Sequence, residues 1–133
     1  MSDGIGGVIS SSAFTYNTTT KVQTLTSSYV KVDTKSANSV TSTQTIDSFA
    51  TNFGCAAFYE YCVTESGGAK RMGQVYATWD GSAAAFTDVS SPDLNGSTSD
   101  FVWKVGVSGG NVLLDANILN GSWDILVATR VVF

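Results

Sequence analysis

The last third of the chain alternates apolar and polar residues in three successive runs. The runs cover Phe101–Val107, Val112–Ile118 and Trp123–Phe133, and the pairs Gly109-Gly110 and Asn120-Gly121 separate them. Alternation with a period of two is typical of a strand that buries one face. Gly-Gly and Asn-Gly favour the positive φ that two-residue hairpin turns need. The pattern therefore predicts a three-stranded antiparallel meander at the C-terminal end.

Both predicted hairpins place apolar residues opposite one another. In the first hairpin Val105 faces Leu114, and in the second hairpin Leu114 faces Val127. A slip of one residue would turn the whole apolar set toward water, so the agreement between the two registers is informative. It indicates an antiparallel all-β domain.

Further strand candidates precede the meander at intervals of about 8 to 12 residues, which is typical of a sandwich or barrel. The candidates are Val22–Leu25, Tyr29–Val32, Thr43–Ala50, Cys55–Thr64, Arg71–Trp79 and Ala83–Val89. The polar stretch Thr34–Ser42 predicts a long loop or a detour of the chain at the edge of a sheet. A two-residue turn at Asp80-Gly81 would pair Val75 with Phe86. We predict one antiparallel β-sandwich, jelly-roll-like, over residues 8–133, preceded by a flexible glycine-rich arm of residues 1–7.

The amino-acid composition limits the possible functions of the protein more than it limits the possible folds. The 133 residues are 43% hydrophobic and only 14% charged, whereas charged residues supply about a quarter of an ordinary soluble chain. The neutral, hydrogen-bonding surface suits contacts with other subunits, or it reflects a Thr-rich β-protein. The seven basic residues are scattered and the net charge is −4, so the sequence predicts no basic surface that would bind nucleic acid. No run has the length of a membrane span, and the N-terminus has no secretory pattern.

The residues offer little for catalysis. There is no histidine, which removes the commonest general base and most transition-metal sites. Carboxylates at predicted turns, such as Asp80 and Asp93, suit backbone hydrogen bonding, with calcium binding as the alternative. Asp115 faces Lys104 in the predicted register as a cross-strand ion pair. We therefore expect no catalytic, cofactor or metal site, and we expect that the chain is not an enzyme.

The two cysteines and the aromatic residues have structural interpretations. Cys55 and Cys62 point to opposite faces if they share one strand, so we predict two small buried residues without an internal disulfide, with an intermolecular bond as the alternative. Glu60 lies either on the solvent face or in a subunit contact with Arg71 or another cation. The aromatic residues either pack in the core or form a surface for sugar or protein. They are Tyr29, Phe58, Tyr59, Tyr61, Tyr76 and Trp79.

Residues 43–133 resemble the small β-domains in virion structural proteins of tailed bacteriophages, both fibre-like and head- or tail-associated. The resemblance lies in Ile46-Asp47-Ser48-Phe49, Phe58-Tyr59-Glu60-Tyr61, Val75–Trp79, Ser108-Gly109-Gly110-Asn111-Val112-Leu113-Leu114 and Arg130-Val131-Val132. It implies a structural role in the particle and brings no catalytic residues.

We therefore expect a virion protein, assembled in the host cytoplasm, that decorates or cements the capsid exterior or forms a head fibre. We expect a homotrimer that binds other virion proteins through Gly4, Ile5, Gly6, Gly7 and Val8. No nucleic acid, membrane or cofactor is expected as a partner. One alternative is a tail, neck or baseplate fibre subunit that binds a glycan or host receptor. Two further alternatives are a hydrolase of surface polysaccharide and a β-domain of unrelated origin.

Overall fold

The structure, a computed structural model, describes residues 14–17, 22–26 and 30–133, with side chains from residue 32 onward. These residues form strands and connecting loops without a helix. The strands are β1 (Phe14–Asn17), β2 (Val22–Thr26), β3 (Val30–Val40), β4 (Gln44–Ala50), β5 (Ala56–Glu65), β6 (Lys70–Trp79), β7 (Ala84–Ser90), β8 (Phe101–Ser108), β9 (Asn111–Ile118) and β10 (Trp123–Val132).

The strands form two antiparallel sheets. The large sheet has seven strands in the order β1-β2-β3-β10-β5-β6-β7, and the small sheet has three in the order β4-β9-β8. The predicted all-β antiparallel sandwich is confirmed. Its unequal sheets differ from the eight strands in two Greek keys that define a jelly roll.

The core lies between the inner faces of the two sheets. Tyr59, Val63 and Val127 from the large sheet and Val112 and Leu114 from the small sheet are all fully buried. Burial along β10 alternates between inward and outward positions. Because strand side chains alternate between faces, the period-two pattern gives each sheet one apolar face, and burying these faces drives the sheets together.

The first predicted hairpin is confirmed. Strands β8 and β9 pair with Val105 opposite Leu114 and Val107 opposite Val112. Gly109 and Gly110 have φ of 58° and 80°, the left-handed conformation that glycine adopts at no steric cost. Local turn chemistry and the apolar pattern agree here, so a short segment determines its own structure.

The second predicted hairpin is wrong, and with it the three-stranded meander. Strand β10 lies between β3 and β5 in the large sheet, while β9 pairs with β8 and β4. In the Asn120-Gly121 connection only the glycine has positive φ, 90°. The Leu119 N–H donates to the Asp100 carbonyl and the Ser66 N–H donates to the Ser122 carbonyl, at 2.8 and 2.9 Å. These bonds hold a connection that crosses from one sheet to the other.

The loop predicted at Thr34–Ser42 is mostly strand. Residues up to Val40 continue β3, and they pair with β10 along most of its length. Their polar side chains fit because every second position of the strand faces away from the core. Polarity alone therefore does not distinguish a loop from a strand whose outer face meets water.

The hairpin between β6 and β7 has a longer turn than predicted. Ala77 faces Phe86, a shift of two residues from the predicted register. The turn contains four residues because the Asp80 N–H donates to the Ala83 carbonyl at 2.9 Å. The Asp80 carboxylate also accepts the N–H groups of Ser82 and Ala83, both at 2.8 Å. A two-residue shift preserves the buried face, so the apolar pattern allows both registers.

The prediction that both cysteines are buried is wrong. Cys55 precedes β5 and is exposed, and Cys62 is half-buried; both thiols are free. Cys62 lies on the outer face of the large sheet, opposite Leu126 on one side and Met72 on the other. Its surroundings are apolar, but they are the surface of the sheet and not the core.

The predicted arm of residues 1–7 lies outside the described residues. The same holds for its expected contact residues, Gly4, Ile5, Gly6, Gly7 and Val8, and for Tyr29. The boundary at residue 8 and the docking role of the arm stay predictions.

The close approach of β7 to β6 at Gly73 gives a test of the packing. A Cβ at Gly73 would lie 2.4 Å from the Val89 carbonyl oxygen and 2.8 Å from the Tyr61 hydroxyl. We expect Gly73→Ala to lower the free energy of unfolding by about 1 to 3 kcal/mol, because overpacking shifts the backbone. Urea unfolding followed by circular dichroism measures the change.

Gly106→Ala is the matched control. Gly106 also lies in a strand, and a Cβ there would meet no atom within 4 Å. We expect unchanged or slightly higher stability. Equal losses in the two variants would contradict the packing described at Gly73.

Candidate functional site

The outer face of the large sheet carries a row of side chains that crosses four strands. In register, Arg130 of β10 lies opposite Phe58 of β5, Phe58 lies opposite Tyr76 of β6, and Tyr76 lies opposite Thr87 of β7. We call these four residues the aromatic row. All four occupy outward positions, so antiparallel pairing aligns them on one surface.

Contacts within the aromatic row fix its geometry. The Arg130 guanidinium carbon lies 4.2 Å from the centroid of the Phe58 ring, a stacked cation–π arrangement. The Tyr76 ring meets Phe58 edge-to-face, with centroids 5.5 Å apart and planes at 81°, the arrangement that the ring quadrupoles favour. Tyr76 is 39% exposed. The row thus presents a planar cation, aromatic surface and a phenol hydroxyl in a preorganised array.

Polar groups flank the row on the same face. Glu60 is exposed and lies opposite Ala128 and Gln74, one outward position along the strands. The prediction that Glu60 faces solvent is confirmed. The alternative partner, Arg71, instead lies 3.7 Å from the Asp88 carboxylate. The face therefore adds a carboxylate and an amide to the cation and hydroxyl of the aromatic row.

A shallow concavity of about 400 Å³ lies beside the aromatic row. This volume is near the lower end of the roughly 300 to 1,000 Å³ of small-molecule pockets. Its lining residues are Ala56, Ala57, Phe58, Tyr76, Ala77, Thr78, Ala85, Phe86 and Thr87. Ala56 and Ala85, which share an outward row with Thr78, leave room that larger side chains would fill, and the threonine and tyrosine hydroxyls supply polar groups. The concavity has the composition of a binding pocket, mostly apolar with a few polar groups.

A second row on this face is apolar. Leu126, Cys62 and Met72 lie opposite one another across β10, β5 and β6. Leu126 is 57% exposed and Met72 is 60% exposed. Neighbouring exposed apolar side chains are typical of interaction surfaces. The apolar row extends the candidate site along the sheet.

Several aromatic residues considered for binding belong elsewhere. Tyr59 and Tyr61 face inward and are buried. Trp79 donates its indole N–H to the Thr51 carbonyl at 2.9 Å and packs against Phe49 with centroids 5.3 Å apart. Tyr76, with Phe58 beside it, remains on the outer face, as the alternation of strand positions requires.

Arg130 is the site residue that sequence reasoning missed. Its contact with Phe58 depends on the pairing of β10 with β5, strands separated by more than half of the chain. No local pattern signals that pairing. The alternation of Arg130 with Thr129 and Val131, both buried, does signal that Arg130 points outward.

The inner face holds a second polar cluster, around Asp47. This carboxylate is 8% exposed and accepts hydrogen bonds from the Thr129 hydroxyl at 2.6 Å and the Ser48 N–H at 2.8 Å. The fully buried Tyr59 hydroxyl has no hydrogen-bond partner among residues 32–133. Burial, with the nearby Asp47 charge, raises the pKa of Tyr59 well above its usual range.

Asp47 shares a cavity of about 40 Å³ with a second carboxylate, that of Asp33. Lys35 lies 3.6 Å from the Asp33 carboxylate. Asp33 and Asp47 come together because β3 and β4 lie in the two sheets that face each other. A cavity of this size holds one or a few water molecules.

Two general features bear on function. Within the described ranges, no three histidine, cysteine or acidic residues come together as a metal site. The same ranges contain no helix of sufficient length and apolar character to cross a membrane.

A third cluster secures the loop between β7 and β8. Arg71 donates to the Thr98 hydroxyl at 3.0 Å. Thr98 in turn donates its hydroxyl and its N–H to the Asp93 carboxylate. These bonds hold the pKa of Asp93 below its usual range. Burial, together with a hydrogen bond to Asp88, raises the pKa of Tyr61 to about 12. The hydrogen bonds of Thr98 to Arg71 and Asp93 therefore fix the loop against the large sheet.

The sequence matches no protein-family model and no curated protein. Two solved structures align with it. The tailspike protein of Acinetobacter baumannii phage AM24 aligns with a TM-score of 0.47 and 13% identity, over 78% of this chain and 26% of its own. Tailspike protein gp49 of Acinetobacter baumannii bacteriophage Fri1, a capsular polysaccharide depolymerase, aligns with a TM-score of 0.47 and 10% identity, over 90% of this chain and 19% of its own. The chain thus spans about a quarter and a fifth of these proteins.

One sequence-based expectation is corrected by this comparison. The absence of histidine and the structural interpretation of the carboxylates led to the expectation that the chain is not an enzyme. The Fri1 tailspike, a capsular polysaccharide depolymerase, contradicts that expectation. The expectation is withdrawn.

The Asp93 bonds make stability depend on pH. The hydrogen bonds from Thr98 lower the folded-state pKa of Asp93 below its usual range. The carboxylate therefore stabilises the fold fully above the unfolded pKa, and this stabilisation is lost as pH falls through the folded pKa. We expect Asp93→Asn to lower the melting temperature near neutral pH, and the difference from the parent to shrink below about pH 4.

Melting curves by circular dichroism across this pH range measure the effect. Ser97→Ala is the control, since the Ser97 hydroxyl bonds the Ser99 hydroxyl at 3.0 Å in the same loop. It should keep the parent pH dependence. A constant difference between Asp93→Asn and the parent at all pH values would refute the assignment.

Proposed function

We propose that the chain is a structural subunit of a bacteriophage tail fibre or related tail appendage, and that the outer face of its large sheet binds a carbohydrate. The resemblance of residues 43–133 to small phage virion β-domains supports the first part. The low charge supports it too, because a sparsely charged surface suits contact with other subunits. The stacked array of Arg130, Phe58 and Tyr76 is the observation that carries the second part.

The chemistry of the face fits a sugar. A sugar ring offers an apolar C–H surface, which aromatic rings cover, and hydroxyl groups, which planar polar side chains bind. The planar guanidinium of Arg130 can donate hydrogen bonds to sugar hydroxyl groups, the Glu60 carboxylate can accept them, and the Gln74 amide can do both. The Arg130 fork also favours an acidic sugar, because guanidinium and carboxylate groups pair bidentately. Rigid aromatic side chains bind at low cost in conformational entropy.

The capsid-decoration interpretation has less support. It rests on an anchoring role for the arm of residues 1–7, whereas the tail-fibre interpretation has a binding surface built from described side chains. The homotrimer and the virion partners stay predictions. Neither the homotrimer nor the virion partners change the surface proposed for carbohydrate, since the aromatic row lies on the outer face of the sheet.

Binding to surface polysaccharides of candidate hosts tests the proposal. We expect Tyr76→Ala to weaken binding by about tenfold or more, because it removes the exposed ring and its hydroxyl. Glycan-array binding followed by titration calorimetry measures the loss. Val102→Ala is the control, since Val102 is a 45% exposed side chain on the small sheet, and it should bind like the parent.

Two outcomes would refute carbohydrate binding at this face. One is the absence of binding to any host polysaccharide by the folded parent. The other is equal affinity in the parent and Tyr76→Ala. Reducing ends released in the same incubations report cleavage separately from binding.

A further inference from the structure

Strand β7 forms one edge of the large sheet. Its neighbour is β6, and no described strand pairs with its other side. Six of its seven residues are exposed, including Phe86 at 41% and Val89 at 54%. An edge of this kind presents unpaired N–H and C=O groups to any extended chain that fits against it.

The edge of β7 lacks the features that protect the other three edges. Its sequence, Ala-Ala-Phe-Thr-Asp-Val-Ser, contains no lysine, arginine, proline or glycine, and its register with β6 is uninterrupted. By contrast, β1 has only four residues, β4 has a register shift between Thr45 and Asp47, and β8 displays the exposed Lys104. Short length, irregular pairing and lysine are among the means by which proteins block edge pairing. An inward-pointing charge is another, and Asp88 is the one charged residue of β7.

We propose that β7 pairs with β7 of a second copy, antiparallel about a two-fold axis at Thr87. This register uses the whole strand, and it places Ala85 opposite Val89 and Phe86 opposite Asp88. A shift of one residue would pair outward with inward positions. A two-residue shift in either direction loses two of the seven residue pairs that the strand can form.

The charge of Asp88 does not oppose this pairing. Its carboxylate accepts a hydrogen bond from the Tyr61 hydroxyl at 2.7 Å and lies 3.7 Å from the Arg71 guanidinium. The only charged side chain of the strand is thus compensated within its own subunit. The edge meets its copy as a neutral surface, and a two-fold axis requires such self-complementarity.

The pairing aligns the aromatic rows of the two copies end to end. Thr87 is the last member of the row, and it meets its own copy at the axis. The two Tyr76 residues then lie three strand spacings apart, about 14 Å. The pairing itself is independent of the proposed function. Only the presentation of two adjacent binding faces rests on it.

The oligomeric state of the full chain tests the pairing. Light scattering coupled to size exclusion should give a dimer that dissociates on dilution, and not the homotrimer expected from the sequence. Thr87→Lys should give a monomer, because it sets two lysines against each other at the axis. Ser36→Lys, an exposed position on the outer face of β3, should remain dimeric. A monomeric parent at all concentrations, or any assembly that Thr87→Lys leaves intact, overturns the proposal.

Cross-linking tests the register. With Cys55→Ser and Cys62→Ser as background, Thr87→Cys should form an intermolecular disulfide on oxidation, because directly opposed Cα atoms lie about 4.5 to 5.5 Å apart. Ala85→Cys should not, since its copy lies four residues along the ladder, about 13 Å away. Equal cross-linking of the two variants, or none with Thr87→Cys, overturns the two-fold register. These results do not depend on whether the face binds sugar.

Discussion

The position of β10 between β3 and β5 is the constraint on which the rest of the structure depends. Both of its backbone edges are paired along most of its length. Its inward side chains, including Val127 and Val131, lie in the core, and Thr129 reaches across to Asp47 of the small sheet. Its outward Arg130 completes the aromatic row. One strand thus joins the two halves of the large sheet, ties the sheets together and supplies the cation of the candidate site.

This arrangement explains how much the sequence predicts. The hairpin of β8 and β9 follows from Gly109-Gly110 and from apolar pairs only a few residues apart. The partner of β10 does not follow, because its alternation buries the same face beside β9 or beside β5. The pattern of apolar residues thus fixes the inward face of a strand, but long-range pairing decides its neighbours. The candidate site needs that pairing, since Arg130 and Phe58 meet only across it.

Two arginines among the described residues have defined partners. Arg71 is held by Tyr61, Thr98 and Asp88, and Arg130 is stacked on Phe58. Side chains fixed in this way have little conformational entropy left to lose when a partner arrives. The surface is therefore mainly neutral, and the charged groups that could distinguish one partner from another are held at a few fixed positions.

The two-sided pairing of β10 also has a mechanical consequence. A pulling force applied at the C-terminal end of β10 acts along the axis of this strand. Because the backbone hydrogen bonds lie perpendicular to an antiparallel strand, such a load strains the bonds to β3 and β5 together, in shear. Bonds at a sheet edge pulled sideways would instead open one after another. The strand that organises the sandwich is therefore also placed to resist traction along its axis.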